Sequence, residues 1–108
     1  MEVPESRALA PDLEKIKETV CRSYGVKEED LFISRRGISN EPHNTVIFLM
    51  RNLKRSKLDE IGREFKISKY SSVSTIIERT KQRAIKDREF KKRIEQMKRD
   101  LNVSQERT

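Results

Sequence analysis

The sequence predicts an all-α protein, a compact bundle of about six helices that contains a helix-turn-helix with a slightly lengthened turn. Three observations predict it. Apolar residues recur at three- and four-residue spacing along most of the chain, which is the period of an amphipathic helix. Only three glycines and three prolines occur in 108 residues, so tight turns are few. Residues 66–68 form a short break between two helical stretches, as in a helix-turn-helix.

The chain divides into three parts. Residues 1–10 show no sustained period, and we interpret them as a flexible lead or linker. Residues 11–101 carry the apolar periodicity and form the predicted domain. Residues 102–108 are predicted to be a disordered tail.

The first predicted helix runs from Pro11 to Tyr24. Proline suits the first turn of a helix because its missing N–H costs no hydrogen bond there, and Gly25 suits the stop that follows. Cys21 lies on the apolar stripe of this helix and is interpreted as a small core residue rather than a reactive thiol. A short second helix is predicted over residues 27–33.

The third predicted helix begins after Asn40, whose side chain is suited to cap it, and Pro42 fits its first turn. The apolar run 45–50 makes it the core element of the bundle. A buried strand is the alternative for this run. The proline at its start and the polar residues after it favour the helix.

Serine residues are predicted to mark the start of two later helices. A capping box from Ser56 to Asp59 predicts the start of the fourth helix, and Ser68 is predicted to cap the fifth. The sixth helix is predicted over residues 87–101, with apolar residues at helical spacing.

The fourth and fifth helices form the predicted helix-turn-helix. Ile61, Ile67 and Val73 are the apolar residues that would lock its two helices together. Ile67 and Val73 are six residues apart, one more than in the simplest units, which predicts a turn one residue longer. Gly62 allows a close approach. A generic pair of antiparallel helices is the alternative interpretation of this pattern.

The fifth helix carries a polar face that suits the major groove of DNA. Small hydroxyl residues let a helix lie deep in that groove and bond to base edges or phosphates. An arginine two turns on can reach a phosphate, and the free N–H groups of the helix N-terminus attract the same anions. The alternative is an ordinary solvated face. The residues concerned are Lys69, Tyr70, Ser71, Ser72, Thr75 and Arg79.

A second basic element precedes the third helix. Arg35 and Arg36 lie in a glycine-containing loop, which suits a narrow minor groove because its negative potential attracts guanidinium groups. His43, the only histidine, and Asn44 fall in the first turn of the next helix. His43 is expected at the surface, with a phosphate or base contact as its functional interpretation. A solvated charge pair is the alternative for the two arginines.

The charge distribution is uneven. The chain has 25 Lys and Arg against 18 Asp and Glu, a net charge of +7. Residues 1–33 carry five basic and eight acidic side chains, whereas residues 34–108 carry twenty basic and ten acidic ones. A basic body behind an acidic lead indicates a polyanionic partner, with nucleic acid first and an anionic membrane second. Lys57 is among the basic residues expected to contact phosphates, with Lys54 and Arg55.

Several other classes are disfavoured. The longest apolar run, residues 45–50, is far shorter than a membrane span, and the N-terminus lacks the pattern of a signal peptide. One cysteine and one histidine cannot build a zinc site, and no glycine-rich phosphate loop occurs. We therefore expect no catalytic residues, no cofactor, no metal and no small-molecule ligand, and a cytoplasmic, nucleoid-associated location.

The chain from about Leu13 to Leu101 resembles the C-terminal DNA-binding domain of the bacterial replication initiator DnaA, a fold of Trp-repressor-like type. The run 58–65, Leu-Asp-Glu-Ile-Gly-Arg-Glu-Phe, is similar to the family's Leu-Pro-Glu-Ile-Gly-x-x-Phe. The order of a helix ending at Tyr24, a paired-arginine loop and an apolar helix is similar too. The resemblance implies that Arg36, and less surely Arg35, enters the minor groove. It also implies that His43 and Asn44 replace an Arg and a Gln that contact DNA.

The recognition helix departs from the family's Gly-Gly-Arg-Asp-His-Thr-Thr-Val. Residues 66–73 read Lys-Ile-Ser-Lys-Tyr-Ser-Ser-Val, which keeps two hydroxyls but replaces the His and Asp. The run 70–74, Tyr-Ser-Ser-Val-Ser, is similar to DnaA-like domains attached to REP-associated tyrosine transposases. Neither the transposase catalytic domain nor the initiator ATPase domain is present in these residues, so neither activity is expected.

The sequence therefore predicts sequence-specific binding to double-stranded DNA, without bond chemistry. A protein-interaction adaptor is the alternative, in which the fold is kept and the basic face binds an acidic partner or nucleic acid of any sequence. RNA binding ranks lower because single-stranded RNA recognition usually uses exposed aromatic residues. The oligomeric state and the target sequence are not predicted.

Overall fold

Five α-helices make up most of the part of the chain that this computed structural model describes, residues 12–33 and 40–106. A 3-10 helix, Glu28–Phe32, follows the first of them, and a π-helical turn, Met50–Lys54, continues the second. These ranges contain no strand, so the all-α prediction is confirmed. The second predicted helix is the 3-10 helix, which makes five α-helices in these ranges instead of six. The five are α1 (Leu13–Tyr24), α2 (Glu41–Leu49), α3 (Leu58–Phe65), α4 (Tyr70–Lys86) and α5 (Arg88–Glu106).

Three sequence predictions lie outside the described residues. They are the lead at residues 1–10, the first-turn role of Pro11, and the basic loop with Arg35 and Arg36. The first described residue, Asp12, caps α1, because its Oδ1 accepts a hydrogen bond from the N–H of Lys15 at 3.0 Å. Gly25 ends α1 at φ 66°, in the left-handed region that favours glycine.

Helix α2 lies at the centre of the bundle. Six consecutive residues, 45–50, are buried, and α1, α4 and the 3-10 helix all pack against it. Asn40 caps it as predicted, since its Oδ1 accepts from the N–H of His43 at 3.1 Å. The Asn40 amide also donates to the carbonyls of Asp30 and Ile33. The strand alternative for residues 45–50 is wrong, because this run is helical and enclosed on all sides.

The start of α3 differs from the prediction. Lys57 is the capping residue, and its N–H donates to the Glu60 side chain at 2.9 Å. Ser56 is buried and helps to close the preceding turn instead. Its N–H donates to the carbonyl of Met50, and its own carbonyl accepts from Arg51. The predicted Ser56–Asp59 capping box is therefore wrong by one residue.

Between α3 and α4 the chain makes a four-residue connection, 66–69, one residue longer than the predicted break. Lys66 adopts φ 57°, and the N–H of Ile67 donates to the carbonyl of Gly62 at 2.8 Å. Lys69, not Ser68, is the residue at the N-cap of α4, and no described side chain caps that helix. The backbone N–H of Ile67 thus bonds to a carbonyl at the end of α3. At the start of α4, by contrast, no described side chain bonds to the first backbone N–H groups.

Helix α5 continues beyond the predicted end. It begins after Asp87, whose Oδ1 accepts from the N–H of Phe90 at 3.1 Å. It passes Leu101 and ends at Glu106, so it overlaps the segment predicted as a disordered tail. One apolar stripe packs it onto the bundle; the stripe consists of Phe90, Ile94, Met97 and Leu101.

A buried lysine in α1 joins three elements of the bundle. The Lys17 side chain is 7% exposed, and its Nζ lies 3.0 Å from Glu64 and 3.3 Å from Glu28. The same nitrogen lies 5.2 Å from the ring centre of Phe32. Burial alone would lower the pKa of Lys17, but the hydrogen bonds to Glu64 and Glu28 outweigh it and raise that pKa above its ordinary value. Lys17 thus ties α1 to the 3-10 helix and to α3.

We predict that Lys17 adds stability that is lost at high pH. A pKa raised in the folded state contributes stability below the unfolded value, here about 10.4, and the contribution disappears as pH rises through the folded value. The difference in the free energy of unfolding between the native chain and Lys17→Met should therefore shrink above about pH 10. Urea unfolding from pH 7 to 11 measures it. The exposed Lys15→Met is the control, and a difference that stays constant with pH would contradict the prediction.

We also predict that the turn does not tolerate a side chain at Gly62. A Cβ there would lie 2.7 Å from the Ile67 carbonyl oxygen, which is backbone and cannot rotate away. Gly62→Ala should destabilise the protein by about 1–3 kcal/mol, the usual cost of overpacking. Thermal unfolding measures the effect, with the exposed Arg63→Ala as the control. An unchanged Tm for Gly62→Ala would show that the turn relaxes freely.

Candidate nucleic-acid interface

Helix α4 is held on one side and open on the other. Val73 is fully buried and Thr80 nearly so, and between them Ile76 and Ile77 pack partly against the core. The opposite side is in solvent. The exposed residues of its first three turns include the predicted Ser71, Ser72, Thr75 and Arg79. The predicted polar face is therefore a continuous surface on a well-packed helix.

The N-terminus of α4 adds hydrogen-bond donors to this surface. Lys69 precedes the helix and is exposed, and its carbonyl accepts from the N–H groups of Ser72 and Val73. The N–H groups of Tyr70 and Ser71 come before that first intrahelical bond. Such N–H groups at the positive end of the helix dipole favour an anion such as phosphate.

Tyr70 is the large apolar feature of the interface. Its side chain is 62% exposed although it sits beside the turn. It lines a shallow groove of about 410 Å³ between α3 and the start of α4, together with Asp59 and Arg63. Tyr70 therefore extends the surface of α4 toward α3.

Asn44 and Arg79 line a second groove. They come from different parts of the sequence, and the packing of α2 against α4 brings both to a cleft of about 190 Å³. Glu41 and Arg83 line the same cleft. The candidate surface thus reaches from α3, across the exposed face of α4, to the first turn of α2.

His43 is not at the surface, so that expectation is wrong. Its side chain is 6% exposed, and its ring packs edge-on against Phe65 with 5.5 Å between ring centres. Its Nδ1 lies 3.0 Å from Oδ1 of Asn44. The reason is the helical spacing of α2, which turns His43 toward α3 and turns the next residue toward the α2–α4 groove. A direct contact of the His43 ring with DNA is not supported by this position.

Lys57 lies at the other end of α3 from the turn. Its side chain is exposed, and eight helical residues separate it from the start of the connection, about 12 Å along the axis. Arg35 and Arg36 belong to the undescribed segment 34–39, so their predicted minor-groove role stays a prediction.

The sequence predictions did not include a hydrogen-bond network that fixes the orientation of α4. Glu41 accepts hydrogen bonds from the hydroxyl of Tyr24 at 2.6 Å and from the guanidinium of Arg83. Arg83 also pairs with Asp87 at 3.5 Å and lies over the ring of Phe90. The only sign of this network in the sequence is Arg83, an arginine one turn after Arg79. Helices α1, α2 and α4 meet at the single carboxylate of Glu41.

Glu41 raises the pKa of both groups that donate hydrogen bonds to it, the Tyr24 phenol and the Arg83 guanidinium. Burial and the hydrogen bond to Glu41 raise the pKa of Tyr24 well above its ordinary value, so the phenol stays protonated as a donor. The hydrogen bond to Glu41 raises the pKa of Arg83. Arg93 lies over the ring of Tyr24, with 4.3 Å between its guanidinium carbon and the ring centre.

Other kinds of site are not found in the described ranges. No three His, Cys, Asp or Glu side chains there are grouped so that they could hold a metal ion. Within residues 12–33 and 40–106, none of the helices combines the length and apolar character needed to cross a bilayer.

An all-α bundle in which this turn joins α3 to an exposed α4 defines a helix-turn-helix protein. The chain belongs to the family described as the bacterial dnaA protein helix-turn-helix, whose profile matches residues 13–80. The resemblance to the C-terminal domain of the initiator is confirmed over these residues, and the similarity to transposase-associated domains stays a prediction. The family is a DNA-binding one and not a catalytic one. Searches among curated proteins and among solved structures gave no match.

We predict that the Tyr24 hydroxyl stabilises the fold through Glu41. Removing a hydrogen bond to a charged group costs about 1.5–3 kcal/mol, so Tyr24→Phe should lower the free energy of unfolding by about that amount. Chemical denaturation measures it. Tyr70→Phe is the matched control because its hydroxyl is exposed and should change the stability by less than about 0.5 kcal/mol. Equal effects of the two substitutions would contradict the prediction.

Proposed function

We propose that this chain binds double-stranded DNA in a sequence-specific manner, with α4 in the major groove. The observation that carries the proposal is the exposed hydroxyl face of α4, on a helix whose opposite side is fixed in the core. Ser71, Ser72 and Thr75 are short enough to let the helix approach the floor of the groove. Their hydroxyls both donate and accept, so they suit base edges of either kind.

The ends of the interface are assigned to the phosphate backbone. Arg79 and Asn44, on the α2–α4 groove, suit one strand. Lys69 and the open N–H groups of α4 suit the other, and Lys57 extends the basic surface along α3. Contacts of this kind fix the register of a protein on DNA but carry no sequence information. They make the affinity fall steeply with salt.

Two finer roles belong to the same proposal. Arg35 and Arg36 enter the adjacent minor groove, on the strength of their place in a basic loop before α2 and of the family resemblance. Tyr70 replaces the family's His beside the two hydroxyl residues, so the preferred sequence differs from the standard site of the initiator. The run 70–74 supports a target of the transposase-associated kind.

We predict that selection from a random duplex library enriches one motif, and that the Ser71→Ala/Ser72→Ala double variant loses it. A lost base contact costs about 1–3 kcal/mol and relaxes specificity at that position. Arg79→Ala should instead weaken binding to all sequences alike and reduce its salt dependence. Fluorescence anisotropy at two salt concentrations, with the enriched and a scrambled duplex, measures both effects.

The control variant is Gln82→Ala, on the same exposed side of α4 but three turns from its start. It should leave both affinity and specificity unchanged. Binding that follows only the salt concentration, with no enriched motif, would overturn specific recognition and favour an adaptor with a sequence-blind basic surface. The enriched motif itself distinguishes an initiator-type target from a transposase-type one.

A further inference from the structure

Glu41 places a negative charge on a surface that otherwise suits phosphate. Its carboxylate lines the α2–α4 groove together with Arg79, which the proposed function assigns to the DNA backbone. The Glu41 side chain is 29% exposed, so its charge is not hidden from a polyanion that lies along the groove. Because like charges repel, a phosphate strand in this groove meets one unfavourable group.

Arg83 is a second arginine on the same groove, and its contacts differ from those of Arg79. Its guanidinium donates to Glu41, lies 3.5 Å from a carboxylate oxygen of Asp87, and lies 4.5 Å from the ring centre of Phe90. Arg79 is exposed and forms no ion pair with any residue that the structure describes. One arginine of the groove is thus engaged within the protein, and the other is open to an anion.

The spacing of the two arginines puts both on the groove side of α4. Residues four apart are neighbours on one face of a helix, about 6 Å apart along its axis. The Arg83 side chain is 46% exposed, so its partners hold it without burying it. An arginine side chain at this position has the reach to follow the same phosphate strand as Arg79 once Glu41 releases it.

We propose that Glu41 is an affinity-limiting residue, which holds Arg83 within the protein and so withholds one phosphate contact from DNA. The inference rests on the proposed function, because it takes the α2–α4 groove to face a phosphate strand. Phosphate contacts carry no sequence information. Withholding one of them lowers the affinity for every sequence alike, so that fewer competing sites retain the protein while the base contacts of α4 still select the target.

Glu41→Gln tests the inference, because glutamine keeps the shape and one acceptor oxygen but removes the charge. We expect tighter binding to the enriched and the scrambled duplex alike, by about two- to fivefold at low salt, the range for one exposed ion pair. Between about 50 and 200 mM salt, the variant should lose about threefold more affinity than the native chain, since it makes one more phosphate contact. Fluorescence anisotropy below the Tm of the variant measures both effects.

A purely structural role of Glu41 predicts the opposite sign. Loss of the carboxylate would then loosen α4 and weaken binding, because the helix would lose more conformational freedom when it meets DNA. Weaker or unchanged binding by Glu41→Gln would therefore overturn the inference.

The matched control is Glu18→Gln on α1, outside the candidate surface. It removes the same charge from a carboxylate that also pairs with an arginine one turn away, Arg22, so it measures the effect of net charge alone. In an Arg83→Gln background, Glu41→Gln should gain no more affinity than this control does. A gain that equals the control, or the same gain with and without Arg83, would overturn the inference.

Arg83→Gln alone gives a second test, which holds whether or not Glu41→Gln folds. Glutamine keeps a donor for Glu41, and the salt dependence should stay close to native, whereas Arg79→Ala flattens it by about one phosphate contact. Equal flattening by the two variants would show that Arg83 already contacts DNA and would overturn the inference. In all these outcomes specific binding by the native chain supports the proposed function, and its absence would overturn that function separately.

Discussion

The enclosure of α2 is the constraint on which the rest of the structure depends. Six consecutive residues, 45–50, are buried, so the helix has no solvated side along that stretch. The other elements must therefore surround it, and α1, α4 and the 3-10 helix all do. Only its first turn reaches the surface, where Glu41 and Asn44 lie at the edge of the groove to α4. The core thus determines which residues of α2 are available for function.

Two separate contacts then fix α4 on this centre. Near its start, the backbone of Ile67 approaches Gly62 so closely that no Cβ fits between them. One turn past Arg79, Arg83 binds the carboxylate of Glu41, which also accepts the Tyr24 hydroxyl. Because α4 is held at both places, its exposed face has little conformational freedom to lose when a partner binds. Preorganisation of this kind lowers the entropic cost of binding.

The two mistakes in the predicted helix starts have a common physical origin. Ser56 and Ser68 have the side chains that cap helices most often, yet neither caps one here. Ser56 closes the π-helical turn that continues α2, and the left-handed Lys66 shifts the start of α4 to Tyr70. Both shifts come from how a preceding helix ends, which local residue preferences do not report.

The apolar periodicity by itself determined the all-α fold, the central role of residues 45–50 and the helix-turn-helix with Ile61, Ile67 and Val73. It also identified the exposed face of α4, because the apolar residues of that helix lie on the side of Val73 and polar residues occupy the opposite side. Only the tertiary structure decided the position of His43, the placement of Asn44 and Arg79 on one groove, and the network around Glu41. Those depend on the angles at which helices pack, and a helical period specifies which face is buried but not what lies against it.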